Sequence, residues 1–413
     1  MIAIDGDRLL ADLDALARFG AWETGVDRVA FSAADVAARR WLAERMREAG
    51  LDATIDRVGN VIGRDPTARH AVLLGSHTDT VPRGGRLDGA LGVICAIEIA
   101  RSLRAAAGGR HADATVGVDV VSFQDEEGTY LPFLGSRAFC GTLDAAEIAA
   151  ARAEDGTALA DVMAAFADGP EPQRLDPTRH LAYLEAHIEQ GPRLETAGRR
   201  IGVVTGITGI RRFRVVATGT ANHGGTTPMA LRRDAGAALV RLAGWVHDRF
   251  PALGGPETVW TIGAMAFRPG AANVVPGEAE MSVEMRDLDV AVLDRMEAAL
   301  AAEVATAGRG GVAVSIERTT VVTPTAMAGD VVAVLAEAAA AHGETPVRLP
   351  SGAGHDAMVL GRIVPAGMLF VPSIGGISHN VAENTASADI VLGCAVLAEA
   401  VARLCQRLAV ASR

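Results

Sequence analysis

Residues 71–92, AVLLGSHTDTVPRGGRLDGALG, pass without a break from an apolar strand through a polar turn into a helix. Ala71–Leu74 is a short continuous apolar run, the pattern of a buried strand. The loop after it is rich in glycine, and Ala90-Leu91-Gly92-Val93 opens a helical pattern. His77, Asp79 and Asp88 therefore sit at the carboxyl end of a strand, where ligand chemistry collects in open α/β sheets. A neutral imidazole with two carboxylates suits a divalent metal. Taken alone, the same loop fits carboxylates that only accept from backbone amides.

The rest of the chain repeats that alternation. Helical patterns cover Asp7–Phe19 and a stretch from Ser32, a helix cap, to Ala49, with Gly50 ending it. Ala53–Ile55 and Val61–Ile62 read as strands around the turn signal Gly59-Asn60. Further strands are expected at 115–123 and 180–188, and helices at 89–103, 145–151 and 158–166. Strands alternating with helices indicate an α/β fold with a mostly parallel sheet. From about Ile207 the pattern changes. Strands at 210–218, 258–267, 273–285 and 312–322 and helices at 229–250 and 290–307 follow the order βαββαβ, a ferredoxin-like unit. It reads as an inserted domain, 208–325, in an α/β domain of residues 1–207 and 326–413. The α/β pattern resumes with helix 328–341, strands 346–349 and 364–371, and helix 387–408.

Composition narrows the function. A chain of 413 residues exceeds one ordinary core, which favours two domains. The net charge of −11, without long acidic runs, argues against a nucleic-acid partner. All 39 basic residues are arginine. That excludes a Schiff-base lysine and the lysine of a phosphate-binding loop. Cys95, Cys140, Cys394 and Cys405 show no CxxC spacing and read as free thiols of a reducing, cytoplasmic compartment. The N-terminus lacks the pattern of a signal peptide, and no apolar run is long enough to span a membrane.

Three more polar clusters fall at strand ends: Glu126-Glu127, then His187 with Glu189 and Gln190, then Ser378-His379-Asn380. Each alone has a bland reading, as a solvated acidic pair, a structural histidine or a polar loop. Jointly, His77, Asp88, Glu127, His187 and His379 supply three imidazoles and two carboxylates. That inventory fits a two-metal hydrolytic site with a shared carboxylate. His70, His111, His180, His247 and His342 lie in helical or solvent-like contexts and receive no role.

The segments GSHTDTVPRGGRLDG, QDEEG, HIEQGP, GTANHGGTTPM, NVVPG and GISHN occur in this order. Together they resemble the amidase branch of the M20 metallopeptidase-like family, which holds N-carbamoyl-L-amino-acid hydrolases, allantoate amidohydrolases and β-ureidopropionases. The resemblance runs from about residue 5 to residue 410. It implies an α/β metallohydrolase domain, an inserted lid and dimerisation domain, and two divalent ions. Zinc suits such ligands, and manganese, cobalt or nickel nearly as well. His77, Asp88 and His187 resemble the ligands of one ion, and Asp88, Glu127 and His379 those of the other. Glu126 matches the general base and Asp79 the carboxylate that orients His77. His223 matches the group that stabilises the oxyanion. Gln190, Asn273 and Arg286 match substrate-holding residues, and Gly354 and His355 a loop lining the pocket. The implied partners are a small ureido or N-acyl acid and a second copy of the chain. One departure stands out: the Arg-Phe pair usual after the EEG motif is absent, and Tyr130 occupies that place. An aminoacylase or dipeptidase of the same fold is the alternative activity. A non-catalytic metal-binding protein fits less well, because it would have no need of Glu126. No GxSxG occurs to support a serine hydrolase.

Overall fold

A computed structural model describes residues 2–106 and 116–411. His111 lies outside them, as does Thr115 at the start of the strand expected over 115–123. The described chain forms two compact units, one up to Thr205 and again from Met327, the other Gly206–Ala326.

After a hairpin of two-residue strands at 21–26, the strands of the large sheet begin with β1 (Asp52–Ile55), β2 (Val61–Arg64), β3 (His70–His77), β4 (Val116–Phe123), β5 (His180–Ile188) and β6 (Gly202–Ile207). The second unit adds β7 (Gly209–Thr218), β8 (Val259–Arg268), β9 (Glu278–Asp287) and β10 (Ala313–Val322). The chain returns through β11 (Thr325–Ala326), β12 (Val347–Ser351) and β13 (Ala366–Val371). The longer helices are α1 (Gly6–Ala17), α2 (Ala33–Glu48), α3 (Ala90–Ala106), α4 (Ala235–Leu253), α5 (Val290–Ala307), α6 (Gly329–Ala341) and α7 (Ser387–Ala411).

The large sheet runs β11-β6-β13-β5-β3-β4-β2-β1, with β12 beside β6. Its four central strands, β13, β5, β3 and β4, are mutually parallel. The flanking pairs on both sides are antiparallel. Parallel strands need crossover helices on the faces, so the central strands are buried and apolar. Leu73, Leu74, Val120, Val121, Leu184 and Leu369 are fully buried. Each such side chain contributes roughly 1.5–3 kcal/mol. The helix α3, which packs on β3, β4 and β5, is apolar almost all round and buried over its first turns. Its one buried acid there, Glu98, accepts from Arg8 Nη2 at 2.8 Å. The consequence for function is directional. Four parallel strands end on the same side, so the loops after His77, Phe123, Ile188 and Val371 share one edge of the sheet.

In the second unit β7, β9, β8 and β10 form an antiparallel sheet in the order β8-β9-β7-β10. The strand β9 alternates with period two, and Ala279, Met281, Val283 and Met285 face a core shared with Leu239, Leu242, Leu293 and Met296. The other face carries ion pairs between strands, Arg212 with Glu284 and Arg214 with Glu280.

Several local expectations differ. The helix expected from Met229 begins at Ala235, because Asp234 caps it by accepting from the Ala237 N–H at 2.8 Å. Met229–Leu231 is a separate turn of 3-10 helix. The strand expected over 273–285 starts at Glu278, after a two-residue pairing of Val274–Val275 with Asn222–His223. Pro276 lies between the two and lacks the donor a continuous ladder needs. The strand β6, GVVTGI, went unrecognised because glycine interrupts its apolar pattern. His180 is neither helical nor solvent-exposed: it is buried on β5, its Nε2 3.2 Å from Asp119 Oδ2. All four cysteines are free, Cys95 and Cys394 buried and the other two half-buried. No described helix is long and apolar enough to cross a membrane.

Candidate active site

The shared sheet edge brings together the loops that bear ionisable residues. His77 is the last residue of β3 and pairs in register with Phe123, the last of β4. His187 pairs with Phe370 across the β5–β13 ladder. Glu126 and Glu127 follow β4, and His379 follows β13. Asp88 comes from the loop between β3 and α3. That loop is tied down from outside the cluster: Glu383 Oε1 accepts the Leu87 and Asp88 N–H groups at 3.0 and 3.1 Å. Gly89 has φ +63°, and a Cβ there would lie 2.4 Å from the His77 ring. Only glycine lets the backbone pass so close to that imidazole. Asp125, Gln190 and His379 also hold positive φ, 53°, 57° and 52°. Such strain in non-glycine residues costs of order 1–3 kcal/mol each and is typical of functional loops.

Asp88 is the centre of the cluster. Its Oδ1 lies 3.1 Å from His187 Nε2 and 3.8 Å from His77 Nε2. Its Oδ2 lies 3.2 Å from His379 Nε2, which is 3.4 Å from Glu127 Oε1. One ligand atom each from His77, Asp88 and His187 falls within 4.8 Å of the others, and the same holds for Asp88, Glu127 and His379. The two oxygens of one carboxylate thus face two separate triads.

The histidine tautomers are set by their outer nitrogens. His77 Nδ1 lies 3.0 Å from the Asp79 carbonyl, and His187 Nδ1 lies 2.9 Å from the Ile188 carbonyl. A carbonyl only accepts, so each Nδ1 carries a proton and each Nε2 is turned toward the cluster, where its lone pair would be available to a bound cation. The Gly89 N–H also lies 3.2 Å from His187 Nε2. Gln190 Nε2 donates to Asp88 Oδ2 at 2.9 Å, while its buried Oε1 has no partner. Imidazoles turned inward by their Nδ1–H bonds, converging carboxylates and an orphaned amide oxygen form a donor set that divalent cations would satisfy.

Electrostatics point the same way. Burial, reinforced by Glu127, Asp356, Asp79 and Asp88, pushes the Glu126 carboxyl well above its usual range. Burial and the Asp88 charge raise Glu127 to about 8. Burial also works against Asp88, but hydrogen bonds from His187 and His379 outweigh it and hold its carboxyl well below the usual range. Packed this tightly, the carboxylates repel one another, and cations among them would reverse the upward shifts. Glu126 is 8% exposed and its Oε2 lies 3.6 Å from His77 Nε2, at the edge of the cluster.

Of the other expected site residues, Asp79 is buried and its carboxylate accepts the Glu127 N–H at 3.2 Å; it is the Asp79 backbone carbonyl, not the expected carboxylate at 3.9 Å, that bonds His77 Nδ1. His355 is buried, its ring centroid 4.5 Å from that of His187, with Nε2 2.8 Å from Ser351 Oγ. Gly354 lies against the Phe133 ring, which a Cβ would approach to 2.7 Å. Tyr130 is half-buried and meets Phe31 edge-on at 5.7 Å. Ser378 also supports the cluster, its Oγ 3.3 Å from Asp88 Oδ2, as do Glu185, Glu383 and Arg39, which sequence reasoning missed. Glu185 accepts from Ser76 Oγ at 2.6 Å and from the Ala357 N–H at 3.0 Å. A lone acid inside an apolar strand is the one signal that could have flagged Glu185.

His223, Asn273 and Arg286 belong to the second unit. His223 is exposed, and its Nδ1 accepts from the Gly225 and Thr226 N–H groups at 3.0 and 3.1 Å. Nε2 then carries the proton and faces outward as a donor. Asn273 is beside it, its carbonyl accepting the Gly224 N–H at 2.6 Å. Arg286 is elsewhere. It sits at the far end of β9, where it pairs in register with Val259 and Ile210, and it donates to Glu284 Oε1 at 2.7 Å. The His223 loop adjoins the other end, where Glu278 pairs with Thr218. Eight residues of strand separate the two ends, about 27 Å.

Residues 73–403 match the Peptidase family M20/M25/M40. An N-carbamoyl-L-amino acid amidohydrolase from Geobacillus stearothermophilus is 38% identical over 98% of this chain and 99% of its own. An allantoate amidohydrolase from Escherichia coli is 34% identical over 93% and 94%. Among solved structures, an amidase of the hydantoinase/carbamoylase family from Burkholderia phymatum superposes with a TM-score of 0.92 at 46% identity, covering 99% of both chains. A family match over most of the chain, and full-length relatives above 30% identity, make this chain a member of peptidase family M20/M25/M40, with carbamoylases and allantoate amidohydrolases among its relatives.

Proposed function

We propose that the chain is a binuclear metal-dependent amidohydrolase that cleaves the carbamoyl C–N bond of N-carbamoyl-L-amino acids or related ureido acids such as allantoate or ureidopropionate. The observation that carries this reading is Asp88, whose two carboxylate oxygens face separate histidine-containing triads. His77, Asp88 and His187 would hold one divalent cation, and Asp88, Glu127 and His379 the other. Zinc suits these nitrogen and oxygen donors; manganese, cobalt and nickel suit them nearly as well. When bound, such a pair polarises the scissile carbonyl and makes water acidic enough to attack at neutral pH.

The protein's own groups do the rest. Glu126 takes a proton from the attacking water and returns it to the leaving amine, serving as base and then as acid. Asp79 keeps His77 oriented through the loop they share. His223, with Nε2–H outward, donates to the oxygen that becomes negative in the tetrahedral intermediate. The guanidinium of Arg286 forks onto the substrate carboxylate, and Gln190 and Asn273 hold the carbamoyl end. Gly354 and His355 line the pocket. Cleavage of an N-carbamoyl amino acid yields ammonia and a carbamate, which falls apart to the amino acid and carbon dioxide.

The second unit has the element order and sheet order of a ferredoxin-like fold, and we assign it the roles of lid and dimerisation module. A distance within that unit supports the dimer. His223 and Asn273 stand about 27 Å along the sheet from Arg286, far beyond the reach of one small ureido acid. A single substrate can meet all three if His223 and Asn273 come from one copy and Arg286 from another. Four free thiols suit the reducing cytoplasm.

The test is a substrate panel: N-carbamoyl amino acids, allantoate, ureidopropionate and N-acyl amino acids, each with added zinc, manganese, cobalt or nickel. Ammonia release from a ureido acid, abolished by a chelator and restored by metal, is the expected result. Hydrolysis confined to N-acyl amino acids would replace this reading with an aminoacylase.

A further inference from the structure

The chemistry above leaves two fully buried cations, Arg28 and Arg39, without a role. Arg39, on α2, is fully buried, a position in which an unpaired guanidinium would be strongly destabilising. All five of its N–H groups find acceptors. Nε donates to Asp35 Oδ1 at 2.9 Å. Nη1 donates to the Gly59 and Ser122 carbonyls at 3.2 and 3.3 Å. Nη2 donates to the Phe123 carbonyl at 3.0 Å and reaches Asp79 Oδ1 at 3.5 Å.

Those acceptors are not scattered. Ser122 and Phe123 end β4, the strand that leads into Glu126 and Glu127. Asp79 lies in the loop after β3, and the Asp79 carbonyl accepts from His77 Nδ1. The same Asp79 accepts the Glu127 N–H through Oδ2. One planar group therefore ties the His77 loop to the loop bearing Glu126 and Glu127. It is itself fixed from behind: Asp35 Oδ2 also accepts from the Phe31 N–H and from Gln124 Nε2, both at 2.8 Å. A lysine could not substitute, since an ammonium has three donors on a point charge and no planar fork.

We propose that Arg39 is a positioning residue that sets the separation of these two loops and, through it, the affinity of the cluster for divalent cations. The inference rests on the two-metal reading. The test is titration of metal-stripped protein with cobalt, by calorimetry and by the visible absorption of the bound ion, for wild type and Arg39→Lys. Outer groups that orient ligands typically contribute about 10–100-fold in metal affinity, and a weakening of that size is expected, with the loss of turnover falling on kcat rather than KM. Thermal melting of the metal-free proteins supplies the control. A lower melting temperature with wild-type cobalt affinity would make Arg39 a core ion pair and overturn the inference alone. Wild-type protein that binds no cobalt would overturn the two-metal reading beneath it. Should Arg39→Lys fail to fold, Asp35→Asn carries the test: it keeps the shape, removes the charge behind Arg39, and is expected to weaken cobalt binding several-fold. Unchanged affinity in that variant would equally overturn the proposal.

Discussion

Glu126 and Glu127 are neighbours in sequence, yet they face different surroundings. Glu127 Oε1 lies 3.4 Å from His379 Nε2, whereas Glu126 Oε2 lies 3.6 Å from His77 Nε2. Adjacent side chains in a loop diverge, so one can ligate while the other moves protons. Glu126→Gln keeps size and hydrogen-bonding capacity but removes the proposed base. We expect turnover to fall about 10²–10⁴-fold with metal content, measured by elemental analysis, near that of wild type. Retained turnover would remove Glu126 from the role of base; loss of metal together with turnover would make it a ligand.

At the scale of elements, the amino ends of the parallel strands are held as deliberately as the carboxyl ends. Asp119 on β4 is buried and accepts from Arg179 Nε at 2.7 Å, from Arg179 Nη2 at 2.8 Å and from the Asp65 N–H at 2.8 Å. Burial pushes its carboxyl up, but His180 and Arg179 outweigh burial and hold it below the usual aspartate value. A depressed folded-state value means that this contribution is complete above the unfolded pKa, about 4, and is lost as pH falls through the lower folded value. Asp119→Asn should therefore lose about 1.5–3 kcal/mol at neutral pH, the range for hydrogen bonds to charged groups. In denaturant melts the gap between wild type and variant should narrow as pH drops below about 4. A gap that stayed constant down to strongly acidic pH would show that packing, not charge, is what the carboxylate contributes.

At the scale of the whole molecule, the separation of Arg286 from His223 and Asn273 has a direct consequence for assembly. If one site draws on two copies, then Glu126→Gln and His223→Ala, each inactive alone, should complement each other when unfolded together and refolded. Some mixed dimers would hold one intact site, giving partial recovery of activity. A monomer by sedimentation would end the dimer reading, and a dimer without recovery would end the shared site alone.

The parallel sheet, the helix caps and the run of ionisable residues at strand ends were legible in the sequence because they depend on local pattern. Ala71–Leu74 has no polar residue to place at a surface, and Ser32 and Gly50 bracket a helix by local chemistry, a side-chain cap at one end and a positive φ at the other. His77, Asp88, Glu127, His187 and His379 could be picked out because each lies at the end of an apolar strand or in the polar loop that follows one. What local pattern could not determine is which side chains meet at distance. His180 read as a solvent-like histidine, yet the β3–β5 pairing carries it into the interior beside Asp119. Pro276 and Asp234 moved two element boundaries through a missing donor and a side-chain cap. Arg39 carries no sequence signal of its own, and Glu185 only that of a lone acid in an apolar strand, because their importance comes from acceptors and donors that only the stacked strands bring within hydrogen-bonding reach. Residue order determined which groups the chain could offer; the parallel register of β13, β5, β3 and β4 decided that they converge, since only strands running the same way deliver their loops to one edge.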